Sequence, residues 1–165
     1  VKSASTAHFH LERLEQKGFI RRGADGMLEI LDRATPELGP TAVPLVGVIA
    51  AGRPIEAIEQ STTIEIPPSM IDGRGEVYCL EVSGNSMIDE HICDRDVVVI
   101  KKQDGAEDGQ IVVALLEDGG ATLKRYRRLK NGQVMLIPAN PTMQPMTVDK
   151  VTIQGRLIGG IRQLN

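Results

Sequence analysis

The chain has 165 residues, of which 41% are hydrophobic, 25% are charged and only 2% are aromatic, and its formal net charge is −3. This length allows one or two globular domains, whose cores must be built mainly from Val, Ile, Leu and Ala. The negative net charge argues against a protein that coats nucleic acid or an anionic membrane.

Few residues are available for metal or redox chemistry. Cys79 and Cys93 have no metal-binding spacing and are too few for a disulfide framework, and the three histidines do not form a ligand cluster. No apolar run approaches the roughly 20 residues of a membrane span, and no signal peptide is visible. We therefore expect a cytoplasmic protein with no membrane contact, no bound metal and no cofactor.

The first predicted element is a helix over residues 5–17. Ala7, Leu11 and Leu14 recur there at helical spacing. Gly18 follows at the position where a helix end favours a residue that tolerates positive φ.

A small hairpin is predicted after this helix, with strands over residues 19–22 and 27–30 and the turn-forming sequence Ala24-Asp25-Gly26 between them. A helix followed by a small hairpin is typical of the second half of a winged helix-turn-helix. Residues 1–23 also carry five Lys or Arg against two Glu, which favours contact with phosphate. An ordinary solvated helix face is the alternative interpretation of that charge.

A linker is predicted over residues 34–44, because Pro36, Gly39, Pro40 and Pro44 interrupt the segment and no apolar periodicity is present. From residue 45 onward the pattern is that of β-strands, separated by turn signals such as Asn131-Gly132, with no long helix evident. The predicted strands are 76–82, 96–101, 110–116, 121–126, 133–137 and 151–161. The expected fold class is α+β: a partial winged helix-turn-helix over residues 1–33, then a mostly antiparallel β domain over residues 45–165.

A hydrolytic site in the β domain would have to work without histidine, since no His, Asp or Cys stands in a familiar triad arrangement. A lysine can act as the base if burial lowers its pKa from about 10.4 towards neutrality. Lys124 lies in a β-like run whose alternation puts Thr122, Lys124 and Tyr126 on one face. Ser86 follows a strand in a glycine-containing turn that can expose its hydroxyl. Taken singly, such a serine or lysine is more often structural or merely exposed.

Three segments in chain order carry a resemblance to a known family: PLVGVIAAGRP over 44–54, VSGNSM over 82–87 and LKR over 123–125. Together with KGFIRR over 17–22 and the helix before it, they closely resemble the LexA repressor family, the self-cleaving repressors of the bacterial SOS response to DNA damage. The resemblance covers essentially the whole chain and includes the order of cleavage segment, serine and lysine.

The resemblance implies a serine peptidase domain with a Ser/Lys dyad that cuts its own chain. Ser86 would be the nucleophile and neutral Lys124 the general base. The cleaved bond would be Ala51–Gly52, within a cleavage segment over residues 45–58. Backbone N–H groups of Asn85 and Ser86 would hold the oxyanion.

The resemblance also implies a repressor that binds operator DNA as a homodimer on two half-sites, with its dimer contact around residues 151–161. A RecA filament on single-stranded DNA would stimulate cleavage. The base-facing residues would be Ser3, Ser5, Thr6, His8 and Phe9, and the phosphate contacts Lys2, Arg21 and Arg22. Because the chain begins almost at the predicted recognition helix, we expect the helices that precede it in the family to be missing.

Two local features depart from the family pattern. Asp94 and Asp96 resemble an acid/base pair, although turn capping is their expected role, and family members often carry glycine where this chain has Arg95. Better-known relatives carry carboxylates where this chain has His8 and Phe9, so no operator sequence follows from the resemblance.

Three alternatives remain at this point. A phage-type or other self-cleaving repressor of the same peptidase superfamily would have a different DNA-binding domain, against which the hairpin over residues 19–30 argues. A peptidase acting on other proteins, such as a signal-peptidase relative, would need a membrane anchor and no Ala-Gly segment of its own. In a non-catalytic winged-helix regulator, Ser86 and Lys124 would be incidental.

Overall fold

The structure, a computed structural model, describes residues 4–16, 20–23, 27–30, 40–71 and 75–163. The chain divides into two units, residues 1–39 and residues 40–165. The predicted linker was too long at its carboxyl end. Residues 34–39 lie outside the described residues, but residues 41–44 belong to a strand, because they pair with a neighbouring strand along their whole length.

The first unit contains one helix and one two-stranded antiparallel pair in its described residues. Helix α1 spans Ala4–Gln16, strand β1 spans Ile20–Arg22 and strand β2 spans Leu28–Ile30. The predicted helix and hairpin strands lie within one residue of these bounds, and the predicted turn over 24–26 lies outside the described residues. One helix and a strand pair do not establish a winged helix-turn-helix, so that assignment stays a prediction.

The second unit is built on one nine-stranded sheet. Its strands are β3 (Thr41–Ala50), β4 (Glu56–Ile66), β5 (Val77–Ser83), β6 (Val97–Lys101), β7 (Ile111–Leu116), β8 (Ala121–Arg128), β9 (Val134–Ile137), β10 (Met146–Val148) and β11 (Val151–Ile161). Their order across the sheet is β10-β9-β8-β7-β11-β6-β5-β3-β4, and every pair except β3–β5 is antiparallel. The expectation of a mostly antiparallel β domain is confirmed; the sequence pattern had not predicted β10 or the β3–β4 hairpin.

The central strands are buried on both faces of the sheet. In β6, Val98, Val99 and Ile100 are all fully buried, as are the consecutive residues Val112 and Val113 of β7. Because successive side chains of a strand point to opposite faces, such runs require cover on both sides. This explains why these segments read as continuous apolar runs.

The parallel pairing of β3 with β5 determines which loops meet at one edge of the sheet. Ile49 lies opposite Val82 and Ala50 opposite Ser83, so both strands end at the same level. The chain leaves β3 into residues 51–55 and leaves β5 into residues 84–87. The loop that contains Ala51–Gly52 and the loop that contains Ser86 are far apart in the chain, but they therefore leave the sheet side by side.

The turn between β5 and β6 contains a strained residue. Arg95 has a φ of 67°, in the left-handed region that glycine adopts without cost. Its backbone N–H donates to Val82 O, and its side chain is exposed, with Nε at 3.9 Å from Asp94 Oδ2. The glycine expected from the family pattern would therefore suit this turn better than arginine does.

We predict that Arg95→Gly stabilises the protein. An L-residue costs about 1–2 kcal/mol in the left-handed region, and the extra chain entropy of glycine offsets about 0.5–1 kcal/mol of that relief. The free energy of unfolding should rise by up to about 1 kcal/mol, measured by urea denaturation followed by circular dichroism. Arg95→Ala is the matched control, because it removes the same exposed side chain but keeps Cβ. Equal stability of the two variants would contradict the strain argument.

Candidate active site

Ser86 lies in a tight turn directly after β5. Gly84, with a φ of 98°, begins this turn in a conformation that favours glycine. The Gly84 N–H donates to Asp94 Oδ1 at 2.7 Å, and the Met87 side chain that follows the serine is buried in the core. Ser86 itself is half-buried. The turn is thus held at both ends, and the Ser86 between them lines the cleft described below.

Lys124 stands in the middle of β8 and is only 5% exposed. Strand β8 is paired with β7 on one side and with β9 on the other. The Lys124 Nζ lies 2.7 Å from Ser86 Oγ, although 38 residues separate the two in the chain. The structure therefore brings together the serine and lysine that the sequence singled out.

The environment of the Lys124 amine favours its neutral form. Its other hydrogen-bond acceptors are Thr122 Oγ1 and Leu123 O, each at 2.9 Å. Within the described residues, no carboxylate forms an ion pair with it. Burial lowers the pKa of Lys124 from 10.5 to about 8. An ammonium group loses its hydration there, and no neighbouring negative charge offsets that loss. An amine with this pKa is partly unprotonated near neutral pH and can accept a proton.

The Ala51–Gly52 bond lies in a turn that closes against the start of β8. The Arg53 N–H donates to Ala50 O at 3.2 Å, and the Gly52 N–H donates to Ala121 O at 3.2 Å. In return the Ala121 N–H donates to Arg53 O at 2.7 Å. The turn is therefore attached three residues before Lys124.

Two glycines allow this close approach. Gly52 has a φ of 73°, and a Cβ added at Gly120 would lie 3.2 Å from both the carbonyl carbon and the oxygen of Gly52. A side chain at either position would strain the turn or push it away from β8. Glycine is thus required at position 52 by the backbone conformation and at position 120 by the close contact with Gly52.

An open cleft of about 450 Å³ contains Ala51 and Ser86 in its walls. The turn over residues 50–53 contributes Ala50, Ala51 and Arg53, and the serine turn contributes residues 83–86. The third wall is formed after β9 by Asn140, Thr142 and Met143. Ala51 and the Ser86 hydroxyl, which is hydrogen-bonded to the Lys124 amine, thus border the same cleft.

The two aspartates near the serine turn have structural partners. Asp94 accepts the Gly84 N–H. Asp96 accepts two hydrogen bonds from the Arg162 guanidinium, at 2.6 and 2.7 Å, and one from the Cys93 N–H. The hydrogen bonds from Arg162 hold the pKa of the Asp96 carboxyl below its usual value. These contacts agree with the capping role expected for both residues.

The predicted DNA-contacting residues belong to the first unit. Lys2 and Ser3 lie outside the described residues, and the structure does not describe the side chains of Ser5, Thr6 and Phe9 in α1. His8 and Arg22 each lie near a carboxylate, at 3.4 Å from Glu12 and 3.7 Å from Glu15 respectively. The Arg21 side chain is exposed on β1.

Among the described residues, no group of three or more His, Cys, Asp or Glu is arranged to hold a metal ion. The described helices include none that is long and apolar enough to cross a membrane.

Sequence reasoning missed two contributors to the site. Thr122 was placed on the face of Lys124 without a role, yet it is 2% exposed and accepts a hydrogen bond from the lysine. Asn140 was not singled out, although its Nδ2 donates to Asn85 O at 2.8 Å. An Asn-Pro step at 140–141 is a turn signal, but it carries no information about which distant loop the turn contacts.

Comparisons with known proteins agree with this geometry. Residues 44–158 match the model of the peptidase S24-like family. The LexA repressor of Syntrophotalea carbinolica is 46% identical over 164 residues, covering 98% of this chain and 79% of that protein. The LexA repressor of Bacillus subtilis is 41% identical over 170 residues, covering 100% and 82% respectively. The chain therefore belongs to the LexA repressor family, and its second unit contains a peptidase S24-like domain.

Proposed function

We propose that the chain is a transcriptional repressor of the SOS response that inactivates itself by cleaving its own Ala51–Gly52 bond. The observation that carries this proposal is the 2.7 Å separation of Lys124 Nζ from Ser86 Oγ, in a cleft that also contains Ala51. Membership of a family of repressors with a peptidase domain supports it. The enzyme activity is that of a serine peptidase with a Ser/Lys dyad.

Cleavage begins with transfer of the Ser86 proton to neutral Lys124 as Ser86 Oγ attacks the carbonyl carbon of Ala51. The carbonyl oxygen becomes an oxyanion, held by the backbone N–H groups of Asn85 and Ser86, and each such donor contributes about 2.7–4 kcal/mol in known cases. The Ala51–Gly52 C–N bond then breaks, and the Lys124 ammonium gives its proton to the departing Gly52 amine.

Water completes the reaction. Lys124, neutral again, takes a proton from a water molecule as the water oxygen attacks the Ala51 carbonyl carbon of the Ser86 ester. The ester bond breaks, Ser86 Oγ regains a proton, and Ala51 is left as a new carboxyl terminus. Each molecule cuts once, because its substrate is part of its own chain.

The first unit is proposed to bind operator DNA as part of a winged helix-turn-helix, in the bacterial cytoplasm. In that proposal Ser3, Ser5, Thr6, His8 and Phe9 face the bases, and Lys2, Arg21 and Arg22 contact phosphates. The exposure of the described His8, Arg21 and Arg22 side chains supports such contacts. Arg22 would exchange Glu15 for a phosphate.

Dimerisation through β11 is part of the same proposal. Strand β11 pairs with β7 over Val151 to Arg156 and with β6 over Arg156 to Ile161. Beyond Arg156, the edge that faces away from β6 has no partner strand in the described part of the chain. Pairing of this edge between two copies would place two DNA-binding units on two half-sites. Stimulation of cleavage by a RecA filament on single-stranded DNA is carried over from the family.

We predict that the purified chain cleaves itself with no added protease, and that the rate rises with pH. Because the base is neutral Lys124, with a pKa of about 8, the rate should rise about tenfold per pH unit below that value and level off above it. Mass spectrometry should find fragments 1–51 and 52–165, formed in a reaction first-order in protein, so that the rate constant does not change with protein concentration. Ser86→Ala and Lys124→Ala should stay intact. Cleavage that persists in either variant would overturn the dyad.

We predict that Thr122→Val lowers the midpoint of this pH profile. The Thr122 hydroxyl accepts a hydrogen bond from Nζ and so stabilises the ammonium form. Its loss should move the midpoint down by about 0.5–1 unit, and the plateau rate should fall by up to about tenfold because the amine is less firmly held. Thr122→Ser, which keeps the hydroxyl, should leave the midpoint unchanged. Superimposable profiles of Thr122→Val and the parent would exclude this role.

We predict that Arg22→Ala weakens binding to a short mixed-sequence DNA duplex, measured with the uncleavable Ser86→Ala chain. Loss of one phosphate contact should reduce the slope of log affinity against log salt by about 0.9. Arg127→Ala is the control, because Arg127 is an exposed arginine on β8 of the other unit. An unchanged slope for Arg22→Ala would remove that residue from the DNA contact.

A further inference from the structure

Asn140 links the loop after β9 to the serine turn. Strand β9 ends at Ile137, and the chain then runs through Pro138 and Ala139 to Asn140. The Asn140 Nδ2 donates to the Asn85 carbonyl oxygen at 2.8 Å, across 55 residues of sequence. The Asn140 side-chain amide is thus hydrogen-bonded to the residue that immediately precedes Ser86.

The orientation of this amide is fixed by its other contacts. The Asn140 Oδ1 accepts the Thr142 N–H at 2.9 Å and the Thr142 hydroxyl at 2.7 Å. A backbone N–H can only donate, so the atom facing it must be the oxygen. The nitrogen is therefore the end that faces the Asn85 carbonyl.

Backbone hydrogen bonds extend the same contact to Ser86. The Ala139 N–H donates to Ser86 O at 2.9 Å, and the Asp89 N–H donates to Ala139 O at 2.8 Å. Residues 139 and 140 therefore hold the carbonyl groups of both peptide units that flank the Ser86 Cα. Since each unit is planar and trans, fixing its C=O also fixes its N–H, which points the opposite way.

The N–H that Asn140 fixes in this way is that of Ser86, because it shares a peptide unit with the Asn85 carbonyl. This N–H is one of the two donors proposed for the oxyanion. Donors of this kind act by being aligned before charge develops, so a peptide unit free to rotate would lose much of their effect.

We propose that Asn140 is a positioning residue, which accelerates self-cleavage by holding the Asn85–Ser86 peptide unit in the orientation that directs the Ser86 N–H at the oxyanion. This inference rests on the proposed self-cleavage. Asn140 does not contact Lys124, so its contribution lies in the plateau rate and leaves the protonation of the base unchanged. The Asn85 carbonyl oxygen also accepts the Ile88 N–H, at the longer distance of 3.4 Å. The shorter hydrogen bond from the Asn140 amide nitrogen, at 2.8 Å, is therefore the contact that matters.

The test compares Asn140→Asp and Asn140→Ala with the parent over the full pH profile of cleavage. Both variants lack the Nδ2 donor, while aspartate keeps the oxygen that accepts from Thr142. The plateau rate should fall by about 10- to 100-fold, less than the roughly 10²–10³-fold lost when an oxyanion donor itself is removed. In Asn140→Ala, which adds no charge, the midpoint should stay that of the parent. Asn131→Asp is the matched control, an Asn→Asp change in the β8–β9 turn, and should cleave like the parent.

Asn140 also lines the cleft, so its replacement could act by weakening the docking of the turn over residues 50–53. A second experiment measures that docking separately. In the uncleavable Ser86→Ala chain, the Gly52 amide is protected from hydrogen exchange by its bond to Ala121 O. Adding Asn140→Ala should leave that protection unchanged. The inference fails if the plateau is retained within about threefold, if only the midpoint moves, or if Gly52 protection falls by the same factor as the rate. A parent chain that does not cleave at any pH would instead overturn the proposed function itself.

Discussion

The chemistry of this protein depends on one buried amine. Lys124 lies between two neighbouring strands, hydrogen-bonded to neutral oxygens, and the absence of hydration lowers its pKa to about 8. A lysine on the surface would be protonated almost completely at neutral pH and could not accept a proton from serine. The fold therefore supplies the base of the proposed dyad, because it buries the Lys124 side chain to 5% exposure.

The parallel alignment of β3 and β5 supplies the substrate. It makes the chain leave the sheet as Ala51–Gly52 on one strand and as the serine turn on the next. A substrate held within its own molecule needs no tight binding, since orientation alone is worth an effective concentration of about 10⁵–10⁸ M in favourable cases. In the proposed reaction, control falls on how often the turn over residues 50–53 is docked, and its two backbone hydrogen bonds with Ala121 stabilise the docked state.

The turn that contains Ser86, the proposed nucleophile, is held by side chains from two other loops. The Asp94 carboxylate accepts a hydrogen bond from the Gly84 N–H, and the Asn140 amide donates one to the Asn85 carbonyl oxygen. Asp94 lies in the same turn as Arg95, whose φ is positive. Asp96, in that turn, accepts a hydrogen bond from Arg162, which directly follows β11. These contacts explain a turn in which Gly84 and Arg95 both have positive φ: the surrounding hydrogen bonds offset the cost of an unusual backbone conformation.

Six of the strands of the second unit, helix α1 with its hairpin strands, and the choice of Ser86, Lys124, Ala51 and Gly52 as the residues to consider could all be predicted from the sequence, whereas β3, β4 and β10 could not. The predicted features follow from the periodicity of neighbouring residues and from a resemblance carried by short segments. Only the tertiary structure decided that Ser86 and Lys124 are in contact, that burial lowers the lysine pKa, and that Asn140 reaches the serine turn. The order of strands in the sheet sets these properties, because they join residues that are distant in the chain, and desolvation depends on everything packed around a group rather than on its neighbours in sequence.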